Sequence, residues 1–232
     1  MTGSRALAWL VHAYTATGAA LAFLALVAAA NGDIRAAFLL LAAAMIIDCS
    51  DGTLARAARV KEVVPEFDGA RLDDIMDYLT YVFVPIVIAH GGEMLPGGTF
   101  GLAVACAPLL ASAYGFCRTD AKTTDHLFTG FPSYWNVVVL YFHLLQTGAG
   151  FNAFVLLLLT AMVFVPMRYA YPSRNPTGSV VTFTLGPLWG VAVLYLVWSL
   201  PASNTTLAYA TLVFPAWYIA LSLYLTAQRR GV

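Results

Sequence analysis

Eight acidic side chains lie between positions 48 and 77 of a chain that is otherwise strongly apolar. Asp48 and Asp51 are three residues apart, and Gly69, Asp73 and Asp77 follow one another at intervals of four. Residues three or four positions apart on a helix share one face, so each group presents its carboxylates together. Converging carboxylates repel one another unless cations bind between them or their pKa values rise. The spacing therefore predicts a metal site where the two helical faces meet.

The four acids at positions 48, 51, 73 and 77 offer only oxygen ligands, which favour hard divalent cations such as Mg²⁺ or Mn²⁺. Two such ions about 4 Å apart can hold a pyrophosphate and stabilise both the attacking and the leaving oxygen. Gly52 and Ala55 fall on the same helical face as Asp48, where they leave room for a ligand to approach the backbone. This pattern indicates metal-dependent phosphoryl transfer.

The other acids of this segment have simpler explanations. Isolated acids at helix ends are often only interfacial charges. Asp68 and Asp74 are open to either interpretation, whereas Glu62 and Glu66 are expected to be solvated loop residues.

Composition predicts the elements that position these acids. The 232 residues are 60% hydrophobic and 10% charged, which is typical of an integral membrane protein. Apolar segments separated by short polar or Gly/Pro-containing breaks predict an all-α, polytopic membrane bundle that forms one domain over residues 1–232. About eight transmembrane helices are expected, at 6–30, 36–58, 69–90, 99–118, 134–148, 151–169, 180–199 and 205–227. The fifth segment is short enough to be interfacial or re-entrant instead.

If every segment crosses the membrane, the basic residues are distributed very unequally between its two sides. All but one of the 12 Lys and Arg residues then fall on the side of the two termini, and only Arg35 falls on the other. Because cytoplasmic loops retain Lys and Arg, the bias predicts cytoplasmic termini and an acidic cluster at the cytoplasmic membrane surface. The formal net charge of zero gives no indication of nucleic-acid binding.

The acidic segment resembles the signature of the CDP-alcohol phosphotransferases, membrane enzymes that transfer a phosphatidyl or related group from a CDP-activated donor to an alcohol. The matching positions are Asp48, Asp51, Gly52, Ala55, Arg56, Gly69, Asp73 and Asp77. Twelve residues separate Arg56 from Gly69, a longer spacer than most of that family carries. This spacer is similar to that of a bacterial branch with eight crossings, which condenses CDP-diacylglycerol directly with choline. The segments His12–Gly18, Phe131–Asn136 and Pro166–Arg174 also resemble that branch.

The resemblance implies a role for each matching residue. Asp48, Asp51, Asp73 and Asp77 would hold two Mn²⁺ or Mg²⁺ ions. The CDP group would contact Asp51, Gly52, Ala55, Arg56 and Gly69. Asp77 would be the catalytic base that accepts the proton of the choline hydroxyl. The family also implies a homodimer in the bacterial inner membrane, with membrane lipid around it and the active site facing the cytoplasm.

The substrates suggest further binding residues. A trimethylammonium group is held by cation-π contacts and nearby acids, so aromatic residues are the candidates for choline binding. They are Tyr14, Tyr81, Tyr134, Trp135, Tyr169 and Tyr171, each of which could instead belong to an interfacial aromatic belt. The candidates for the lipid donor's phosphates are Arg118, Lys122, Arg168 and Arg174, with topological anchoring as the alternative. His12 is expected to be a hydrogen-bonded structural histidine, with substrate contact as the alternative.

Two other functions fit part of the pattern. Acids in membrane helices also form cation transporters, but those place their sites near the midplane and do not require the ordered glycines. A related enzyme could use serine, glycerol phosphate or inositol phosphate as its acceptor. A phosphorylated acceptor would require additional basic residues near the metals, whereas choline favours aromatic residues.

Overall fold

The computed structural model describes residues 2–119, 127–170, 179–202 and 204–228, most of which are helical. The first part of the chain forms α1 (Thr2–Ala30), α2 (Ile34–Ala57), the short α3 (Val60–Val63), α4 (Gly69–Asp77) and α5 (Val84–Gly91). A π-helical segment, Tyr78–Phe83, joins α4 to α5. The rest forms α6 (Gly98–Cys117), β1 (Leu127–Thr129), α7 (Trp135–Leu145), α8 (Ala149–Phe164), β2 (Arg168–Ala170), α9 (Ser179–Trp198), α10 (Thr205–Thr211) and α11 (Val213–Gln228).

Among the described residues, five helical stretches are long and apolar enough to cross a membrane. They are Ser4–Ala30, Ile34–Ala57, Gly98–Cys117, Val180–Trp198 and Thr205–Gln228. Residues 69–91, where α4, the π-helical segment and α5 follow one another without a break, are not in this set. With the shorter apolar helices α7 and α8, each predicted segment contains a helix, and the all-α polytopic membrane fold is confirmed.

The fifth segment contains a short helix, α7. At 1.5 Å per residue, the 11 residues of α7 span about 16 Å, roughly half of the hydrocarbon thickness. The backbone N–H of Phe131, before α7, donates to the carbonyl of Met162 near the end of α8. After α7, the side chain of Asn152 donates to the carbonyl of Met94, in the loop between α5 and α6. These bonds link the chain on either side of α7 to the end of α8 and to the loop between α5 and α6.

The prediction of a helix over 151–169 is wrong at its C-terminal end. Helix α8 stops at Phe164, and Val165 is extended, as expected of a residue that precedes a proline. Residues 168–170 instead form β2, which pairs antiparallel with β1. No pattern in the sequence predicts this two-stranded sheet. Thr226 of α11 also hydrogen-bonds to the backbone of Arg168, so this sheet lies beside the end of the last helix.

The spacer between Arg56 and Gly69 packs on the start of α1. Ala8 and Val11 of α1 form a small apolar cluster with Val60 and Val64, and the side chain of Ala55 packs against it. Arg5 forms an ion pair with Glu66 at the exposed edge of this contact. Asp68 then caps α4 by accepting from the backbone N–H of Arg71, which sets the start of the helix that carries two of the acids.

Candidate active site

Three of the predicted acids converge. One carboxylate oxygen each from Asp48 of α2 and from Asp73 and Asp77 of α4 lie within 4.8 Å of one another. Two oxygens bound to one divalent cation at about 2.0–2.6 Å can be no more than about 4–5 Å apart, so this separation fits a shared ion. The oxygen-only ligand set fits a hard divalent cation. The triad can therefore bind a metal, as the helical spacing predicts.

Asp51 lies in the same cleft but not in the triad. Its side chain is buried, and Oδ2 accepts a hydrogen bond of 2.8 Å from Oγ1 of Thr15 in α1. All four acids line one cleft between α1, α2 and α4, together with Thr15 and Gly18 of α1. Thr15 was not among the predicted site residues, although a hydroxyl inside an apolar helix is a signal that could have identified it.

Tyr81, predicted to bind choline, contacts one of the four acids directly. It continues the spacing of Asp73 and Asp77 by four more residues into the π-helical segment, and its hydroxyl donates to Oδ2 of Asp48 at 2.7 Å. π-Helical turns occur frequently at functional sites. Its ring centroid lies 6.0 Å from that of Tyr134. Tyr81 therefore joins the acidic cleft to a group of aromatic side chains.

The aromatic group extends from Tyr81 through three further tyrosines. Tyr134 lies 6.0 Å from Tyr218 of α11, and Tyr218 stacks on Tyr169 of β2 at 6.2 Å. We call these four residues, Tyr81, Tyr134, Tyr169 and Tyr218, the tyrosine row. Tyr218 was not predicted, because nothing distinguishes it from other aromatic residues of an apolar helix until the chain is folded.

Two other aromatic candidates are engaged elsewhere. The indole of Trp135 is fully buried, and its Nε1 donates to Oγ of Ser112 at 2.8 Å. The hydroxyl of Tyr14 bonds to Oγ of Ser50 at 2.8 Å, between α1 and α2. Tyr171 lies outside the described residues.

The residues predicted to bind CDP have distinct surroundings, and none of Gly52, Ala55, Arg56 and Gly69 lines the cleft itself. The guanidinium of Arg56 donates to Oγ1 of Thr53, and a Cβ at Gly52 would lie 3.4 Å from its Nη1. A Cβ at Gly69 would lie 2.6 Å from Cε1 of His12, so the histidine ring takes the space that a side chain at position 69 would need.

The basic candidates lie at the ends of elements. Arg118 follows α6, and its guanidinium carbon lies 5.8 Å from the ring centroid of Tyr114. Arg168 lies in β2 beside Thr226 of α11. Lys122 and Arg174 lie outside the described residues.

The membrane fold and the acidic cleft define a helical membrane protein with a metal-competent site, as a membrane-embedded phosphotransferase requires. No family model matches the chain. It is similar to curated phosphatidylcholine synthases, with 36% identity to that of Legionella pneumophila over 94% of this chain and 88% of the relative. Identity is 37% to that of Pseudomonas aeruginosa, over 97% and 94% of the two chains, and 35% to that of Borreliella burgdorferi, over 97% of each. The chain therefore belongs to the phosphatidylcholine synthases, enzymes of the CDP-alcohol phosphotransferase type.

Proposed function

We propose that this protein condenses CDP-diacylglycerol with choline to give phosphatidylcholine and CMP. The observation that carries the proposal is the convergence of Asp48, Asp73 and Asp77 within 4.8 Å in a cleft next to the tyrosine row. The acids suit a diphosphate bound with divalent cations, and the tyrosines suit a quaternary ammonium group. The similarity to phosphatidylcholine synthases over nearly the whole chain supports the same reaction.

The proposed metal ligands are Asp51 and the three acids of the triad. Together they would hold two divalent cations, either Mg²⁺ or Mn²⁺. Bound divalent cations would neutralise the charge of the diphosphate and of the departing CMP. Within the chain, Thr15 orients Asp51, and Tyr81 orients Asp48, each through one hydroxyl donor. Such hydrogen bonds to ligating carboxylates fix their direction before the substrate arrives.

Asp77 is the proposed general base. Its carboxylate accepts the proton of the choline hydroxyl while the choline oxygen attacks the phosphorus that bears the diacylglycerol. A new P–O bond forms to choline, the P–O bond to CMP breaks, and CMP leaves with that electron pair. The reaction requires no covalent intermediate with the protein.

The CDP group of the proposal contacts Asp51, Gly52, Ala55, Arg56 and Gly69, as the family resemblance implies. Asp51 lines the cleft, while Arg56 can supply a positive charge beside Gly52, where the guanidinium already lies. Ala55 also packs against the spacer, so its small side chain has a structural role in addition. Gly69 also leaves room for His12 at the start of α4.

The tyrosine row is the proposed choline site. Tyr169 stacks on Tyr218, and Tyr134 meets Tyr218 edge-on. Tyr134 also lies beside the ring of Tyr81, whose hydroxyl donates to Asp48. A trimethylammonium group among these rings would be held by cation-π contacts, with a carboxylate at one end of the row. Trp135 is left out of the site because its indole is fully buried and bonded to Ser112.

The proposed assembly and orientation in the membrane follow from the family and from the distribution of basic residues. Residues 1–232 form one catalytic domain, which works as a homodimer in the bacterial inner membrane with its cleft towards the cytoplasm. The distribution of Lys and Arg over the two sides supports this orientation. The topology predicted from the sequence puts Arg118, Arg168, Lys122 and Arg174 on the same side as the acids, where they would suit the phosphates of the lipid donor.

One assay tests the reaction. Purified protein is given CDP-diacylglycerol, Mg²⁺ or Mn²⁺, and one of choline, serine, glycerol phosphate or inositol phosphate, and CMP is measured. We expect CMP release with choline alone, phosphatidylcholine in equal amount, and no reaction in excess chelator. Release with another alcohol and not with choline would assign the protein a different acceptor.

A further inference from the structure

His12 is a buried histidine in α1 with an unpaired nitrogen. The residue is 6% exposed, and its ring lies 4.5 Å from the ring of Phe67 and 5.9 Å from that of Trp9. Within the part of the chain that the structure describes, Nε2 of His12 has no hydrogen-bond partner. A buried polar atom without a partner lowers stability, and its retention calls for an explanation such as a ligand. The expectation of a hydrogen-bonded structural histidine is not met at this nitrogen.

The ring of His12 is pressed against the first turn of the helix that carries two of the acids. A Cβ at Gly69 would lie 2.6 Å from Cε1 and 3.1 Å from Nδ1 of the imidazole. Real side chains do not approach so closely, so a glycine at position 69 is what allows this contact. Gly69 opens α4, which continues to Asp73 and Asp77. The imidazole is thereby held at the end of the acidic helix.

The position of His12 along α1 matches the depth at which the nucleoside of the donor is expected. Thr15, which lines the cleft, is three residues further along α1, about 4.5 Å at the helical rise. The opposite direction leads to the exposed ion pair of Arg5 with Glu66 and thus to water. The acyl chains of a lipid donor belong in the bilayer and its diphosphate belongs at the acids. The nucleoside must therefore lie on the water side of the acids, which is the level of His12.

We propose that Nε2 of His12 hydrogen-bonds the nucleoside of the cytidine nucleotide donor, and that Gly69 is required to place the imidazole there. A neutral imidazole nitrogen can donate or accept according to its tautomer, so it can pair with a ribose hydroxyl or with the edge of the base. The inference rests on the donor half of the proposed function and does not depend on which alcohol is the acceptor. His12 is then a substrate-binding residue contributed from outside the acidic segment.

The test is His12→Phe, which keeps an aromatic ring against Gly69 and Phe67 but removes the nitrogen. Binding of CDP is measured calorimetrically in the presence of Mg²⁺, and the melting temperature of the purified protein is recorded. We expect CDP affinity to fall by about tenfold, because one hydrogen bond to the ligand is lost. The melting temperature should stay the same or rise, since an unpaired buried atom has been removed. The choline KM should not change.

His143→Phe is the matched control. His143 packs against Phe38 at the start of α2, ten residues and about 15 Å along that helix from Asp48. The same substitution there should leave CDP affinity unchanged. Unchanged CDP affinity in a folded His12→Phe protein would overturn the proposal and leave His12 a packing residue.

Two further variants apply if His12→Phe does not fold. His12→Gln retains a hydrogen-bonding amide and His12→Leu does not, so CDP should bind more tightly to the former. Equal CDP affinity of these two variants contradicts the proposal. A wild-type protein that binds CDP but releases no CMP with choline would refute the proposed reaction, while the comparison of His12 variants by CDP binding would still decide this inference.

Discussion

The acidic cleft and the tyrosine row lie side by side but are assembled differently. The triad comes from two helices that are close in sequence, and its residues span only positions 48–77. Three tyrosines of the row come from the start of α7, from β2 and from α11, at positions 134, 169 and 218. The acids of the proposed metal site are thus concentrated in one segment. The acceptor site that we propose is assembled from distant parts of the chain.

This difference separates two kinds of experimental effect. Changes in the cleft should impair turnover with little regard to the acceptor. Changes in the tyrosine row should alter the use of choline and leave the binding of the nucleotide donor alone. A cleft substitution that altered only the use of choline, or a tyrosine-row substitution that weakened donor binding, would contradict this separation of functions.

Asp77→Asn should have the largest effect. The amide cannot accept a proton from the choline hydroxyl, so kcat should fall by about 10²–10⁴-fold, the usual contribution of a general base. CDP-diacylglycerol binding should be largely retained, because Asp48 and Asp73 remain. The rate of CMP release gives kcat, and equilibrium binding of CDP reports on binding of the nucleotide donor.

Asp74→Asn is the matched control for this change. Asp74 lies in α4 beside Asp73 but does not belong to the triad of converging oxygens. Its variant should turn over at nearly the wild-type rate. Normal turnover by Asp77→Asn would rule out the base role.

Thr15→Val should have the next largest effect. The substitution removes the hydroxyl that donates to Asp51 at 2.8 Å and keeps a side chain of similar shape. Loss of a hydrogen bond that orients a metal ligand commonly weakens metal binding by about 10–100-fold. The Mg²⁺ or Mn²⁺ concentration for half-maximal CMP release should rise accordingly, with little change in the choline KM.

Two variants test the specificity of that effect. Thr15→Ser keeps the hydroxyl and should restore the metal requirement. Thr17→Val removes an exposed hydroxyl of the same helix, which bonds only locally to the carbonyl of Tyr14, and should change nothing. If all three variants behaved alike, Thr15 would have no special relation to Asp51.

The acidic cleft could be predicted from sequence for a physical reason. Helical periodicity fixes which residues share a face, and the short distance along the chain between α2 and α4 makes their contact easy to anticipate. The separation of Asp51 from the triad was not predictable in the same way. It depends on Thr15 of α1, and sequence spacing says nothing about how a third helix packs against the pair.

The tyrosine row shows what periodicity cannot provide. Trp135 and Tyr134 are neighbours in sequence, yet the indole of Trp135 is fully buried in the bundle while Tyr134 contacts Tyr81 and Tyr218. The β1–β2 pairing likewise joins two three-residue strands that are about forty positions apart. Contacts at this separation depend on the packing of the whole bundle, for which composition and spacing carry little signal.

Tyr218→Leu should have a moderate and selective effect. Loss of one aromatic face from a cation-π site corresponds to about 0.5–2 kcal/mol, or roughly 2–30-fold in the choline KM. The KM for CDP-diacylglycerol should not change, and Tyr218→Phe should retain choline affinity because the ring remains. Steady-state rates at varied choline and fixed donor give these constants.

Tyr224→Leu serves as the control on the same helix. Tyr224 is 54% exposed, and its hydroxyl accepts from the side chain of Gln228. Its loss should leave both KM values unchanged. Equal increases of the choline KM and the donor KM in Tyr218→Leu would show that the tyrosine row is not the choline site. The two regions would then not have separate functions.

Arg5→Gln should have the smallest effect and tests how the outer edge of the acidic region is held. The Arg5–Glu66 ion pair is exposed, so the apolar contacts of Val60 and Val64 with α1 should dominate the stability of the spacer.

The effect of Arg5→Gln on stability should depend on pH. The pKa of Glu66 is lowered by its backbone hydrogen bond and by Arg5. A lowered folded-state pKa stabilises the protein above the unfolded-state pKa, and this contribution is lost as the pH falls through the folded-state value. The small difference in melting temperature between wild type and Arg5→Gln should therefore exist at neutral pH and disappear in acid. Neither kcat nor the choline KM should change, and a large loss of turnover would mean that this ion pair, rather than apolar packing, positions α1 against the acids.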